Sequence, residues 1–137
     1  MKVIVDTSVW SLALRRHHIN ENNAFVHELG ELIKEVRVQL IGPIRQEILS
    51  GIPSDKQFEK LRKYLAAFPD LTLNTEVYEE AARCFNINRS QGVQGSNTDF
   101  LICAVAIIHE MPILTLDKDF ELFQQHIPLE LHQPRVS

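Results

Sequence analysis

Nine consecutive apolar residues, "FLICAVAII" at 100–108, limit what this chain can fold into more than any other feature. As a helix, such a run is apolar around its whole circumference, so it has no face to offer water and must be enclosed by other elements. It is about half the length needed to cross a bilayer, which makes it a buried helix of a folded domain. One acid, Asp99, stands directly before it. An ionised carboxylate at the mouth of such a segment is costly to desolvate unless something pairs with it.

The rest of the chain alternates short apolar runs with amphipathic stretches. "KVIV" at 2–5 is rich in β-branched residues and suits a strand buried on both faces. "TSVWSLALRR" predicts a helix starting at Thr7 or Ser8, and residues 23–36 predict a second, with Phe25, Leu29, Leu32 and Val36 on its stripe. "VQLIG" predicts a strand, and Gly42–Pro43 with Gly51 and Pro53 bound a short helix at 43–50. Helices are expected at 54–67 and 75–90, with "LTLN" between them as a short strand or extended connection. The polar "NRSQGVQGSN" predicts a loop before the buried helix at 97–110. A strand "PILTL", a short helix over "DKDFELFQQ" and a last strand "LELH" complete the chain. This alternation predicts an α/β fold in three layers, α/β/α, around a mostly parallel sheet. At 137 residues it reads as one domain, 1–137.

Hydrophobic and charged contents of 45% and 23% exclude a disordered or fibrous class. The net charge of -4 argues against nucleic-acid binding through bulk electrostatics, an inference that reverses if the acids hold cations. Cys84 and Cys103 form no CxxC pair and read as buried free thiols. A single Lys followed by "VIVDTS" lacks the pattern of a signal peptide, so a cytoplasmic location is expected.

Ligands of an open parallel sheet bind beyond the carboxyl ends of its strands. Asp6 follows "VIV" and Asp117 follows "ILTL", so each stands where a strand gives way to a turn. Asp99 opens the buried helix, and Glu47 lies on or beside the inward face marked by Ile44 and Ile48. Each acid has a plainer explanation: Asp6 and Asp117 as helix caps, Asp99 completing a capping box with Ser96, Glu47 reaching into solvent. Four acids on apolar borders are more than those explanations account for together. Carboxylates converging on one rim raise one another's pKa unless a cation neutralises them, and an all-oxygen set selects Mg²⁺ or Mn²⁺.

In order and spacing, "VIVDTSVW", "GPIRQEILSG" and "GSNTDFLICAVAIIHEMPILTLDKDF" resemble the PIN-domain ribonucleases, and among them the VapC-type toxins of toxin–antitoxin pairs. The resemblance spans nearly the whole chain. It implies a PIN-like fold and a Mg²⁺-dependent endoribonuclease acting on structured RNA such as transfer RNA. It maps the metal-binding and catalytic acids onto Asp6, Glu47, Asp99 and Asp117, with Asp119 either an outer ligand or a solvated turn acid. It also implies a homodimer neutralised by a VapB-type antitoxin that carries the DNA reading, no such motif being visible in this chain. Thr7, Ser8 and Asn97 are candidates to orient a carboxylate, phosphate or water. Arg15, Arg16, Arg45 and Arg89 are candidates for phosphate contacts, whereas Lys56, Lys60, Arg62 and Lys63 read as a solvated face and the His17–His18 pair as solvent-facing. Two other readings exist. A receiver or phosphatase-like phosphoryl-transfer domain lacks support from Ser8, which stands where the phosphatase signature needs a second Asp, and a non-catalytic PIN-like module does not fit four intact acids.

Overall fold

The structure, a computed structural model, describes residues 1–15 and 23–135. Strand β1 (Val3–Val5) is wholly buried, as is β2 (Val38–Ile41). The one polar residue in them, Gln39, bonds the carbonyls of Leu40 and Pro69 through its amide nitrogen, which makes its burial tolerable. Two short strands, β3 (Asp70–Leu71) and β4 (Ile113–Leu114), complete a sheet in the order β3-β2-β1-β4. Every pairing is parallel.

Seven described helices flank the sheet: α1 (Thr7–Arg15), α2 (Ala24–Lys34), α3 (Gly42–Leu49), α4 (Asp55–Leu65), α5 (Thr75–Ser90), α6 (Asn97–His109) and α7 (Asp119–Gln124). Their starts follow side chains that supply missing acceptors: Asn23, Ser54, Asn74 and Ser96 each accept backbone N–H bonds at the N-termini of α2, α4, α5 and α6. The apolar run forms α6, which buries Phe100 and every residue from Ile102 to Ala106 and packs along α5. Trp10, Leu40, Ile44, Phe120 and Phe123 are among the core residues around it.

Three expected elements differ in extent. The strand read from "LTLN" sits earlier, at Asp70–Leu71, because Asn74 is already the cap of α5. "PILTL" pairs only at Ile113 and Leu114, since Thr115 turns its hydroxyl to neighbouring chain ends instead of extending the ladder. The last strand, "LELH", shrinks to one parallel bridge, Leu131 to Ile113. Among the described residues no helix is long and apolar enough to cross a membrane.

Candidate active site

With β2 on one side of β1 and β4 on the other, strand order reverses at β1, which is where a parallel sheet opens a crevice at its carboxyl edge. The register Val5 to Leu114 sets the following residues, Asp6 and Thr115, side by side. A cavity of about 550 Å³ opens there, and Asp6, Glu47, Asp99 and Asp117 all line it, with Thr7, Gln46 and Thr98. The four acids come from four separate parts of the chain.

Asp6 is only 6% exposed. Its Oδ2 accepts from Ser8 Oγ at 2.7 Å and Thr115 Oγ1 at 2.8 Å, with a longer bond from Ser8 N at 3.4 Å. The two hydroxyls accept in turn: Ser8 Oγ from Leu116 N and Thr115 Oγ1 from Asp117 N, both at 3.0 Å. Hydroxyl bonds thus tie the end of β1 to the turn carrying Asp117. That turn is closed by Asp117 Oδ1, which accepts from Asp119 N at 2.9 Å.

Helix α3 starts directly after β2, with Pro43 in its first turn, so it leaves from the same carboxyl edge. Ile44 and Ile48 are buried, while the side chain of Glu47 is exposed at the cavity and receives Thr7 Oγ1 at 2.6 Å on Oε1. Asp99 closes a capping box: its Oδ2 accepts from Ser96 N at 3.1 Å, and its N–H bonds Ser96 Oγ at 3.0 Å. Burial pushes the Asp99 pKa up; the Ser96 bonds pull it down, the charges of Asp117 and Asp6 push it up again, and the net direction is upward.

For Asp99, capping and cavity lining are therefore not alternatives, whereas Asp117 does not cap α7, whose N-cap is Lys118 without a side-chain bond. Among the described residues, each of the four uses one carboxylate oxygen to accept from a hydroxyl or backbone N–H, and the other has no protein partner. No three acids, histidines or cysteines among the described residues stand close enough to hold one ion by themselves. The donor set is all oxygen. Burial, with the Glu80 charge, pushes the Cys84 thiol up to about 11, and burial raises Cys103 as well, so neither thiol is primed for chemistry.

Asp119 opens α7 and does not line the cavity; its side chain is exposed, and its backbone N–H serves Asp117. Asn97 is exposed at the first position of α6, while the next residue, Thr98, lines the cavity. Arg45 is not available to a phosphate. Its Nε sits 3.1 Å from both carboxylate oxygens of Asp70, and its terminal nitrogens bond the carbonyls of Leu65 and Phe68. Arg89 belongs to the last turn of α5 and not to the loop, with its guanidinium 6.0 Å from the centre of the Phe85 ring. The Arg15 side chain, Arg16 and the His17–His18 pair lie outside the described residues. Thr115 was not singled out by sequence reasoning. Its signal is a hydroxyl two residues before Asp117, at the end of an apolar run.

A family model described as PIN domain matches residues 3–124. The chain is similar to Ribonuclease VapC11 of Mycobacterium tuberculosis, 29% identical over 124 residues, covering 88% of this chain and 90% of that protein. Among solved structures it is similar to FitAcB from Neisseria gonorrhoeae, with a TM-score of 0.76 at 22% identity, covering 98% of this chain and 99% of that one. It is also similar to VapBC2 from Rickettsia felis bound to a DNA fragment from their promoter, with a TM-score of 0.76 at 17% identity over 96% and 98% of the two chains.

Proposed function

The chain belongs to the PIN-domain family, and from that premise we propose that it is a VapC-like endoribonuclease toxin, hydrolysing phosphodiester bonds in RNA with Mg²⁺ or, alternatively, Mn²⁺. Divalent-metal dependence is general among PIN-domain nucleases. Asp6, Glu47, Asp99 and Asp117 are the metal-binding and catalytic acids in this reading. The observation that carries it is their common cavity, with one unpartnered oxygen on each carboxylate among the described residues.

A bound divalent ion supplies Lewis acidity and a nucleophilic water at neutral pH. The chain's own groups prepare the place for it. Ser8 and Thr115 lock the Asp6 carboxylate in one orientation, and Thr7 does the same for Glu47. The capping box fixes Asp99 to a helix that burial holds immobile, so the rim geometry is inherited from the core. Gln46 and Thr98 give the wall hydrogen-bonding groups for phosphate oxygens.

The substrate is the looped or single-stranded part of a structured RNA such as transfer RNA, and the protein acts as a homodimer restrained by a VapB-type antitoxin. Relatives named as VapC ribonucleases and neighbours solved as VapBC complexes support that assignment. The test is RNA cleavage by purified protein with Mg²⁺, with a chelator, and by the Asp6→Ala and Asp99→Asn variants. Cleavage is expected only in the first condition; equal cleavage in all four sinks the reading. Adding the product of a short neighbouring reading frame is expected to suppress cleavage.

A further inference from the structure

A second cavity, of about 110 Å³, adjoins the acidic one and shares Asp117 with it. Its apolar walls come from Phe25 of α2, Ile113 of β4 and Leu131 of the C-terminal segment, and its polar rim includes Lys118, His132 and Gln133. The C-terminal wall has no regular secondary structure beyond its one bridge, yet it is firmly held. Glu130 O accepts from Ile113 N at 3.0 Å, and His132 N donates to Ile113 O at 2.8 Å.

Glu28 holds the same wall from the other side. This acid of α2 is 1% exposed, a burial that is costly for a carboxylate without strong partners. The partners are His132, with Nε2 2.5 Å from Oε2, and Arg135, whose Nε lies 3.0 and 3.2 Å from the two oxygens and whose backbone N–H adds a bond at 3.3 Å. All of them belong to the C-terminal segment. The buried acid therefore fixes residues 132–135 against α2, and with them one side of the small cavity.

We propose that this cavity receives one unstacked nucleobase of single-stranded RNA, that of the nucleotide beside the phosphodiester held at the acids. The proposal rests on the nuclease reading and specifies its substrate contacts. Asp117 borders both cavities, so a strand whose phosphate lies at the acids has its next base within reach of the small one. The volume is below that of a pocket for a drug-sized ligand and suits a single ring system. Phe25 supplies an aromatic wall for a base face. Gln133 carries an amide donor and acceptor that no described residue bonds, and Lys118 places an ammonium at the rim for the backbone.

The test uses a randomised pool of short single-stranded RNAs, cut in Mg²⁺ by the full chain, with the new ends mapped by sequencing. Wild type, Phe25→Ala, Gln133→Ala and Asp6→Ala are compared, and thermal melts establish that each is folded; Gln133 is exposed, so its variant tests contact without a packing change. Wild type is expected to prefer one base by about tenfold at a single position beside the cut, the worth of one hydrogen bond from the Gln133 amide to a base edge that Phe25 holds in place. Phe25→Ala or Gln133→Ala flattens that position and leaves the others unchanged. A preference retained by both variants overturns the proposal, and is the outcome expected if the cavity takes a side chain from a partner protein. Cutting by wild type with no base preference overturns the subsite alone, whereas wild-type ends no more abundant than those of Asp6→Ala remove the nuclease reading with it.

Discussion

Two parts of this molecule bury carboxylates, and they satisfy them in opposite ways. Glu28 is surrounded by the chain's own donors, His132 and the cation Arg135, and although burial alone pushes its pKa up, those bonds and the Arg135 charge bring it below the ordinary carboxylate range. At the sheet's carboxyl edge, Asp6, Asp99 and Asp117 receive only hydroxyls and backbone N–H groups, and Asp99 is driven upward. One cluster is electrostatically complete. The other has acids facing acids and no protein cation among their described hydrogen-bond partners, which is the arrangement that a divalent ion from solution completes.

Replacing Asp6 with Asn breaks this contrast most severely. The amide keeps an acceptor for Ser8 and Thr115 but removes the charge, so RNA cleavage is expected to fall on the order of 10²–10³-fold. Thermal melts with and without Mg²⁺ check the cause: the ion raises the melting temperature of wild type, and the rise shrinks in Asp6→Asn.

The second largest effect is expected at the complete cluster. Glu28→Gln removes the charge that Arg135 Nε meets, leaving the guanidinium paired with Glu35 alone, and is expected to cost about 1–3 kcal/mol in chemical unfolding. The pH dependence has a definite sign. The Glu28 pKa is lower in the folded chain than its ordinary 4.5, so its contribution is complete above that value and is lost as pH falls through the depressed one. The stability gap between wild type and Glu28→Gln is therefore full near neutrality and closes in acid.

Gly95→Ala tests whether the acidic rim depends on packing where the other cluster depends on charge. A Cβ there would lie 2.6 Å from Cζ of Phe123 and 3.0 Å from the Phe100 ring, immediately before the Ser96–Asp99 box. Overpacking of this kind is expected to cost about 1–3 kcal/mol. Relieving these contacts moves the Phe rings or the loop that leads to Ser96, so cleavage is expected to fall with stability, and a variant that loses stability with unchanged cleavage would show that the rings absorb the displacement and the box does not.

Much of this was legible in sequence, for identifiable reasons. The apolar run of α6, the β-branched β1 and the Gly–Pro start of α3 each follow from local chemistry that the fold reinforces. The acids were visible because each borders such an element. Arg45 was misread because its partner, Asp70, lies 25 residues away and meets it only through the β2–β3 pairing and the turn after α4. Thr115 was missed for a similar reason: its value comes from standing beside Asp6, 109 residues away, which depends on which strand neighbours β1. Glu28 carries no signal of its own in the stretch 23–36, and only the return of the C-terminal segment gives it partners.

Asp99→Asn is the mildest of these changes for stability and the one that separates the two clusters most cleanly, because its sign is opposite to that at Glu28. The Asp99 pKa is above its ordinary 3.8 in the folded chain, so the folded state binds more protons than the unfolded state as pH rises between the two values, and stability falls across that window. Asn removes that loss while its side-chain oxygen still accepts from Ser96 N, which preserves the capping box. With a chelator present, Asp99→Asn is expected to melt slightly above wild type near neutral pH and level with it below pH 3.8, while cutting less RNA. Adding Mg²⁺ reverses the order at neutral pH, since wild type then gains a ligand that the variant binds poorly. If Asp99→Asn instead melts lower under chelation, the Asp99 charge supports the fold as Glu28 does, and the contrast between the clusters fails at this residue.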